Sequence, residues 1–400
     1  MNSDDVGAPA ADIYKQGRLA AALRRHAGGT RFSYTAEYLA FGGPAVAATL
    51  PLSPTPVDFG SGAVPPFFAG LLPEGRRLTA LRKKVKTSAD DELSLLLAVG
   101  GDPVGDVQIV RQGEAPSDAA AAVELDPKVP VDFDQLLETT GIDPTSLAGV
   151  QDKVSAGMVS VPVSRSGKRF ILKLNTPEYP RVVENEFLMY SYARKLRVPV
   201  SAARLVSDVE GKNGLLVERF DREQDDGGKL VRLAVEDATQ ILGLYPADKY
   251  NVSYSAAGQA LVRQCSAVLP AQRNLVIQAA FAWLTGNGDL HAKNISVLQN
   301  RDGEMVIAPL YDIPSTTVYG DKTMALSVQG KTSGISRKHF LQWALDFGLP
   351  QRAAERALAV TLGATKTLIA DLDGGASPFP GQQTRVWIKE LAHRRRLMDR

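Results

Sequence analysis

Apolar and polar residues alternate from Val154 to Val163, and the apolar pattern returns in Arg169-Phe-Ile-Leu-Lys-Leu174 after the turn Arg165-Ser-Gly-Lys168. A period of two on both sides of a glycine turn predicts a β-hairpin. Val183 to Leu196 changes to helical spacing and reads as an amphipathic helix. Asn213 to Phe220 and Lys229 to Leu233 read as a second hairpin across Asp225-Asp-Gly-Gly228. Beyond about Glu236 helices dominate. Arg273 to Thr285 is apolar on most faces and so should be buried; Lys338 to Phe347 and Gln351 to Leu362 follow. Upstream, Thr30 to Leu52 suggests short strands broken by Gly42-Gly-Pro44, and Pro65 to Leu97 suggests helices. Gly100 to Gly105 is a turn into a strand at Asp106 to Val110, and Gly113 to Val131, rich in Ala, Pro and Asp, reads as a linker. The first dozen residues, Ala- and Asp-rich, are expected to be disordered. A strand-rich half followed by a helical half predicts an α+β fold of two lobes with a ligand cleft between them.

The 400 residues, 44% apolar and 22% charged, are enough for two cores. No apolar run approaches the roughly 20 residues of a membrane helix, and Met1-Asn-Ser-Asp-Asp-Val lacks a secretory pattern. The single cysteine, Cys265, excludes an intrachain disulfide and a multi-cysteine zinc site. Four histidines, three without a second ligand nearby, argue against a histidine-rich metal site. These features point to a cytoplasmic protein without a membrane partner. The net charge of +2 does not by itself imply nucleic acid. Charge is uneven, however, with Arg76, Arg77, Arg82, Lys83, Lys84 and Lys86 in one stretch and Arg394, Arg395, Arg396 and Arg400 in another. Solvated helix faces are the favoured reading of both.

The chemistry lies in Gly286-Asn-Gly-Asp-Leu-His-Ala-Lys-Asn294 and Leu310-Tyr-Asp-Ile-Pro-Ser315. Asn294 follows Asp289 by five positions, and Asp312 comes next. An isolated Asp-x4-Asn is usually a pair of turn and capping groups. Here it sits between a buried helix and a predicted hairpin that ends at a second aspartate. That set suits phosphoryl transfer from ATP, with one carboxylate orienting a hydroxyl while an amide oxygen and a second carboxylate hold Mg2+. Lys173, mid-strand among apolar residues, is the candidate phosphate cation, with Glu184 or preferably Glu186 of the next helix as its partner. The loop Ser146-Leu-Ala-Gly-Val-Gln-Asp-Lys153 stands where a phosphate-covering loop belongs, and its amides, Ser146 and Lys153 can contact phosphate. Glu218-Arg-Phe220, at a strand end, can offer backbone groups to an adenine edge; a plain hairpin strand explains it equally well. Ala325-Leu-Ser-Val-Gln-Gly-Lys-Thr332 satisfies a relaxed phosphate-loop pattern but is rejected, because strand and turn are expected there instead of a following helix.

Taken together, Ser146 to Lys153, Leu216 to Arg222, Val235 to Gln240, Gly288 to Asn294 and Tyr311 to Ser315 resemble the HipA toxins, bacterial serine/threonine kinases of type II toxin–antitoxin modules. Asn185-Glu-Phe187 and Phe67-Phe-Ala-Gly-Leu-Leu-Pro73 resemble the family too, while the first 25 or so residues have no evident counterpart, and Asp152 departs slightly from its loop pattern. The resemblance implies a two-lobed protein-kinase-like fold. Residues 1–130 would form the HipA-like N-terminal region of the N lobe, 131–245 its nucleotide-binding part and 246–400 the helical C lobe. It implies Asp289 as catalytic base, Asn294 and Asp312 as magnesium ligands, and Lys173 on the phosphates of ATP. Glu218 and Phe220 would hold adenine through their backbones, His291 and Lys293 belong to the catalytic motif, and Ser146 would be an autophosphorylated serine. The implied partners are a HipB-like helix-turn-helix antitoxin, operator DNA mainly through it, and a protein substrate such as an aminoacyl-tRNA synthetase. Related Asp-x4-Asn loops serve small-molecule and lipid kinases, so the core leaves the acceptor open. An inactive kinase-like protein acting through antitoxin and DNA is a further alternative, disfavoured by the retained Asp289, Asn294, Asp312 and Lys173.

Overall fold

The computed structural model describes residues 10–26, 28–60, 63–88, 91–117, 123–126, 131–140 and 158–400. The chain opens with β1 (Ala10–Lys15), β2 (Arg18–His26) and β3 (Gly29–Tyr34), followed by helix α1 (Ala36–Phe41). β4 (Val57–Gly60), helices α2 (Pro66–Leu71), α3 (Gly75–Val85) and α4 (Glu92–Val99), and β5 (Val107–Arg111) complete the unit. Its sheet is antiparallel in the order β4-β3-β2-β1-β5. Ile13, Leu23, Phe32, Phe68, Leu96 and Ile109 fill one core between sheet and helices.

Two expectations fail here. Ala10 to Asp12 are not disordered but begin β1, where Ala11 and Ile13 point inward with no exposed surface. Alanines hide the period of two because they carry so little apolar contrast. Within the stretch read as strands, Ala36–Phe41 is a helix, started by the Thr35 hydroxyl accepting from Tyr38 N and stopped by Gly42 at φ 67°.

The second sheet runs β6 (Val123–Glu124), β7 (Val159–Arg165), β8 (Lys168–Leu174), β10 (Asn213–Glu218) and β9 (Ala203–Ser207) in spatial order. Helix α5 (Phe133–Thr140) supplies Phe133, Leu136 and Leu137 to the core on this sheet. The β7–β8 hairpin forms as its alternation predicts. The second predicted hairpin does not. β10 pairs instead with β8 and β9, while β11 (Arg222–Gln224) and β12 (Leu230–Arg232) make the hairpin. Between β8 and β9 runs helix α6 (Val182–Ala193), most of which is buried. The expected linker also contributes β6, whose two residues pair in parallel with β7.

The C-terminal half is helical around a small sheet of β13 (Val235–Asp237), β14 (Ser296–Gln299) and β15 (Met305–Ile307). After α7 (Ala238–Ile241) and α8 (Tyr254–Gln264) comes α9 (Val268–Thr285), whose residues from Asn274 to Thr285 are all buried, as its uninterrupted apolar surface predicts. α10 (Arg337–Asp346), α11 (Gln351–Ala364), α12 (Leu368–Asp371) and α13 (Gly381–Asp399) pack around it. Ala325 to Val328 is not the expected strand; only an isolated bridge joins Val328 to Lys331. No helix begins until Arg337, so rejection of the phosphate-loop match rests on the right absence for a partly wrong reason.

The two basic stretches are not uniformly solvated. Arg82, Lys83, Lys84 and Lys86 are exposed, but Arg76 is buried and lies 2.8 Å from Glu178. Arg394 has no exposed side-chain surface: it stacks over Trp283, pairs with Glu390 at 3.0 Å and donates to the carbonyls of Trp283 and Lys322. Arg394→Ala should therefore destabilise the protein by about 3 kcal/mol or more, because two buried carbonyls and a carboxylate lose their donor. Urea unfolding checks this; Arg396→Ala, at an exposed position, should be neutral by the same measurement.

Candidate active site

Helix α9 ends where Gly286 takes φ 73° and returns its N–H to the last turn. A side chain at Gly286 would collide with the Thr317 hydroxyl, and one at Gly288 would stand 2.5 Å from the Thr323 carbonyl oxygen. The chain can turn so tightly only with glycine at both points. Beyond them the loop is held by polar bonds. Asp289 N donates to Asn287 Oδ1 at 2.8 Å, and Gly288 N donates to Thr316 Oγ1 at 2.7 Å. Asp289 is thereby fixed with no exposed surface, and its Oδ1 accepts from the Tyr250 hydroxyl at 3.0 Å.

Asn294 spans the two acidic segments. Its Nδ2 donates to Asp289 O at 2.9 Å and to Asp312 Oδ2 at 3.1 Å. Asp312 has φ 54°, a left-handed conformation that aspartate tolerates better than most residues. That turn points its carboxylate back toward the sheet above. There Lys173, on β8, donates to Asp312 Oδ1 at 2.7 Å and to Glu186 Oε1 and Oε2 at 2.7 and 2.9 Å. Burial disfavours the ammonium, but Asp312 and Glu186 more than compensate and raise the Lys173 pKa. Burial acts on Asp312 in the opposite sense, and Lys173 outweighs it, so the Asp312 pKa is lowered. Glu186 is pushed up by its complete burial, although Lys173 and the Ile313 N–H favour its charged form.

The structure thus decides between the two glutamates. Glu186 meets Lys173, whereas Glu184 accepts from Asn175 and Asn213. Helix α6 is also bolted to the segment after Asp312. Asn185 exchanges bonds of 2.8 and 3.1 Å with Ser315, whose hydroxyl accepts from the Trp387 indole at 2.8 Å.

Where β10 leaves the sheet, the Glu218 side chain turns outward to Lys168 at 2.7 Å, and the Phe220 ring packs on Tyr311 with centroids 5.3 Å apart. Arg219 and Arg222 turn the other way and share Asp102 and Asp221 in a buried network with four contacts of 2.8–2.9 Å. Burial raises the Asp221 pKa, but the two guanidiniums win and lower it. This network pins the strand end to the Gly100–Gly105 turn. A cavity of about 420 Å³ opens beside it, with Met158, Pro162, Ile171, Val217 and Phe220 on the apolar side and Lys173, Lys293, Asn294 and Asp312 on the polar side. Its size and its apolar wall with a polar end suit a small-molecule ligand carrying charge at one tip.

His291 is buried at the same wall, edge-on to Tyr250 at 5.1 Å, and burial lowers its pKa toward the neutral form. Lys293 stands 2.9 Å from Glu74 Oε1 and donates to Gly70 O at 3.0 Å. Lys249 pairs with the same carboxylate. Burial alone would raise Glu74, but Lys293 and Lys249 hold it down to about 2.

The sequence model of the HipA-like C-terminal domain matches residues 145–368, more than half of the chain, and that of the HipA N-terminal domain matches residues 11–110. The chain belongs to the HipA family. Among HipA relatives, the protein named Putative kinase Y4mE of Sinorhizobium fredii is 31% identical over 288 residues, which cover 66% of this chain and 67% of that one. The Serine/threonine-protein kinase toxin HipA of Shewanella oneidensis is 28% identical over 315 residues, 70% of each chain. A solved complex of Shewanella oneidensis MR-1 HipA with HipB and operator DNA has the same fold, with TM-score 0.77 at 20% identity over 97% of both chains. The fold is thus the two-lobed, kinase-like α+β architecture that the HipA resemblance implies. The HipA N-terminal match starts at residue 11, so the expectation that the first 25 or so residues lack a counterpart is wrong.

Of the residues singled out in the sequence, Lys173, His291, Lys293, Asn294 and Asp312 line the cavity together with Glu218 and Phe220. Glu186 and Asp289 lie behind it without exposed surface, joined to it through Lys173 and Asn294. Ser146 and Lys153 lie outside the described residues. Sequence reasoning missed Tyr250, Glu74 and Lys249. Glu74 and Lys249 are 175 positions apart, and nothing local marks either.

Proposed function

We propose that the protein is an ATP- and Mg2+-dependent serine/threonine protein kinase acting as the toxin of a toxin–antitoxin module. The observation that carries the reading is the single ammonium of Lys173 held between Glu186 of the upper lobe and Asp312 of the lower one. Such a bridge fixes a cation where the phosphates of a nucleotide in the cleft would lie.

The donor set fits magnesium. Among the described residues no three His, Cys, Asp or Glu side chains gather as a metal cage. Magnesium on a nucleotide needs no such cage, since one or two protein oxygens complete a shell of water and phosphate oxygens. Asp312 and the amide oxygen of Asn294 would be those ligands. The ion, when bound, would screen the charge on the phosphates of ATP. Asp289 would accept the hydrogen bond of the attacking hydroxyl and take its proton as the new bond forms. Lys173 would orient the phosphates, and Lys293 would face the transferred group. His291, kept neutral by burial, would support the loop. Glu218 and Phe220 would meet adenine through their main chain, and the loop bearing Ser146 and Lys153 would cover the phosphates.

The names of the relatives support an antitoxin and operator DNA as partners, while the translation-protein acceptor is carried by the HipA resemblance in the sequence alone. A Shewanella homologue bears the name of a serine/threonine-protein kinase toxin, and a structural neighbour was solved with HipB and operator DNA. A HipB-like antitoxin, operator DNA through it, and a translation protein such as an aminoacyl-tRNA synthetase are the corresponding partners here. Arg76 and Arg394 are buried and unavailable to DNA, whereas Arg82, Lys83, Lys84, Lys86, Arg396 and Arg400 are exposed, so the DNA-binding, inactive alternative keeps most of its basic surface.

Incubation with labelled ATP, magnesium and host lysate should label a protein on serine or threonine, and should label the kinase itself at Ser146. Label confined to small molecules or lipids would overturn the protein-kinase reading. Asp312→Ala should weaken ATP binding in magnesium by roughly tenfold or more, with little change in excess chelator. Titration calorimetry under the two conditions checks this.

A further inference from the structure

We infer that Glu74, from the N-terminal unit of the fold, is a positioning residue for phosphoryl transfer: it holds Lys293 and Lys249 in place on the wall of the cleft. The inference rests on the kinase reading above and extends it to a part of the chain that contributes none of the groups assigned so far.

Glu74 sits between α2 and α3, in Pro73-Glu74-Gly75, where Gly75 has φ 54° and lets the chain bend. The bend is not loosely placed. Gln240, at the start of the catalytic half, donates its side-chain amide to Phe67 O at 2.9 Å. Any side chain at Gly70 would come within 2.8 Å of Gln240 Cγ, so that helix approaches as closely as glycine allows. Glu74 is thereby presented to Lys249 and Lys293, which come from segments on either side of α8 and α9. One carboxylate collects two lysines from distant parts of the lower lobe.

A lysine on four methylenes has many positions and usually spends its charge on water. Lys293 has one ammonium proton directed to Gly70 O, and Glu74 lies 2.9 Å away on another side. With three donors available, it keeps a proton for a ligand in the cavity that it lines. A cation already fixed in place stabilises charge developing on a transferred phosphoryl group without having to reorganise during the reaction. Glu74 lines the same cavity, but its carboxylate is taken up by the two lysines, so it acts through Lys293 and Lys249 rather than on a reacting atom.

The test is a double-mutant cycle on the full chain, with E74Q, K293M and E74Q/K293M compared in steady-state phosphoryl transfer. E74Q should lower kcat roughly 10- to 100-fold, the range expected for a misplaced group, and change KM for ATP less than about twofold. The double variant should be no slower than K293M within about twofold, because Glu74 has nothing left to position. Unchanged kcat in E74Q, or a double variant as slow as the product of the two single losses, would overturn the inference. So would a rise in KM alone. Thermal melting controls for folding. If E74Q does not fold, E74D keeps the charge on a shorter arm and should show the same kcat loss in weaker form; full activity in E74D with K293M impaired would count against positioning. Wild-type protein without phosphoryl transfer would remove the kinase reading and this inference together, whereas an active wild type with an unaffected E74Q removes this inference alone.

Discussion

Asp289→Asn should abolish phosphoryl transfer, by about 10²- to 10⁴-fold for loss of a positioned general base, while leaving ATP affinity and melting temperature nearly unchanged. The substitution preserves volume, and the carboxamide oxygen can still accept from the Tyr250 hydroxyl that meets Asp289 Oδ1. The Asp289 main chain is held independently, by Asn287 Oδ1 on its N–H and by Asn294 on its carbonyl. The bond between Asn294 and Asp312 is untouched. Intact-mass analysis of self-phosphorylation, alongside nucleotide titration, reads both halves of this expectation. Rapid phosphate incorporation by the variant would remove Asp289 as the base.

Lys173→Met should be the most damaging substitution for both stability and activity. Lys173 is a buried cation between two carboxylates, and methionine fills much of its volume without its charge. Glu186 and Asp312 would then face each other across a desolvated gap, and loss of one member of a buried ionic cluster costs about 3–5 kcal/mol. The pH dependence has a definite sign. Without the ammonium, burial and mutual repulsion raise both carboxyl pKa values in the folded state. A raised carboxyl binds protons more readily in the folded than in the unfolded chain, so acidification stabilises the variant relative to wild type. In the wild type the lowered Asp312 pKa has the opposite consequence: its contribution is present above the unfolded pKa and is lost as the pH falls through the folded one. The stability gap, measured by urea unfolding without nucleotide or magnesium, should narrow from about pH 8 to about pH 5. A constant gap would mean that the two carboxylates do not sense Lys173.

The segments of the candidate site were legible because each carries its pattern locally. Asp289, Asn294 and Asp312 lie on one helix-loop-hairpin-loop run, so short-range structure alone brings them together. Lys173 and Glu186 are a strand and the helix that follows it. What escaped depends on contacts chosen elsewhere in the chain. β10 reads as half of a hairpin with its sequence neighbour, but it inserts between β8 and β9 because Leu215, Leu216 and Val217 are buried in that sheet. Ala36–Phe41 falls within the stretch that Phe32, Tyr34 and Val46 make read as strands; the Thr35 cap makes it a helix. Glu74 and Tyr250 are ordinary residues in their own segments, and only the folded chain gives them Lys293 and Asp289 as neighbours.

The indole of Trp387 reaches Ser315, and Ser315 in turn clasps the residue beside Glu186. Helix α13 thus braces the segment after Asp312 from behind, through a bond between residues 72 positions apart. Because Ser315 also holds Asn185, next to Glu186, a displacement of α13 would be felt by both carboxylates of the Lys173 cluster at once. The two lobes share one support.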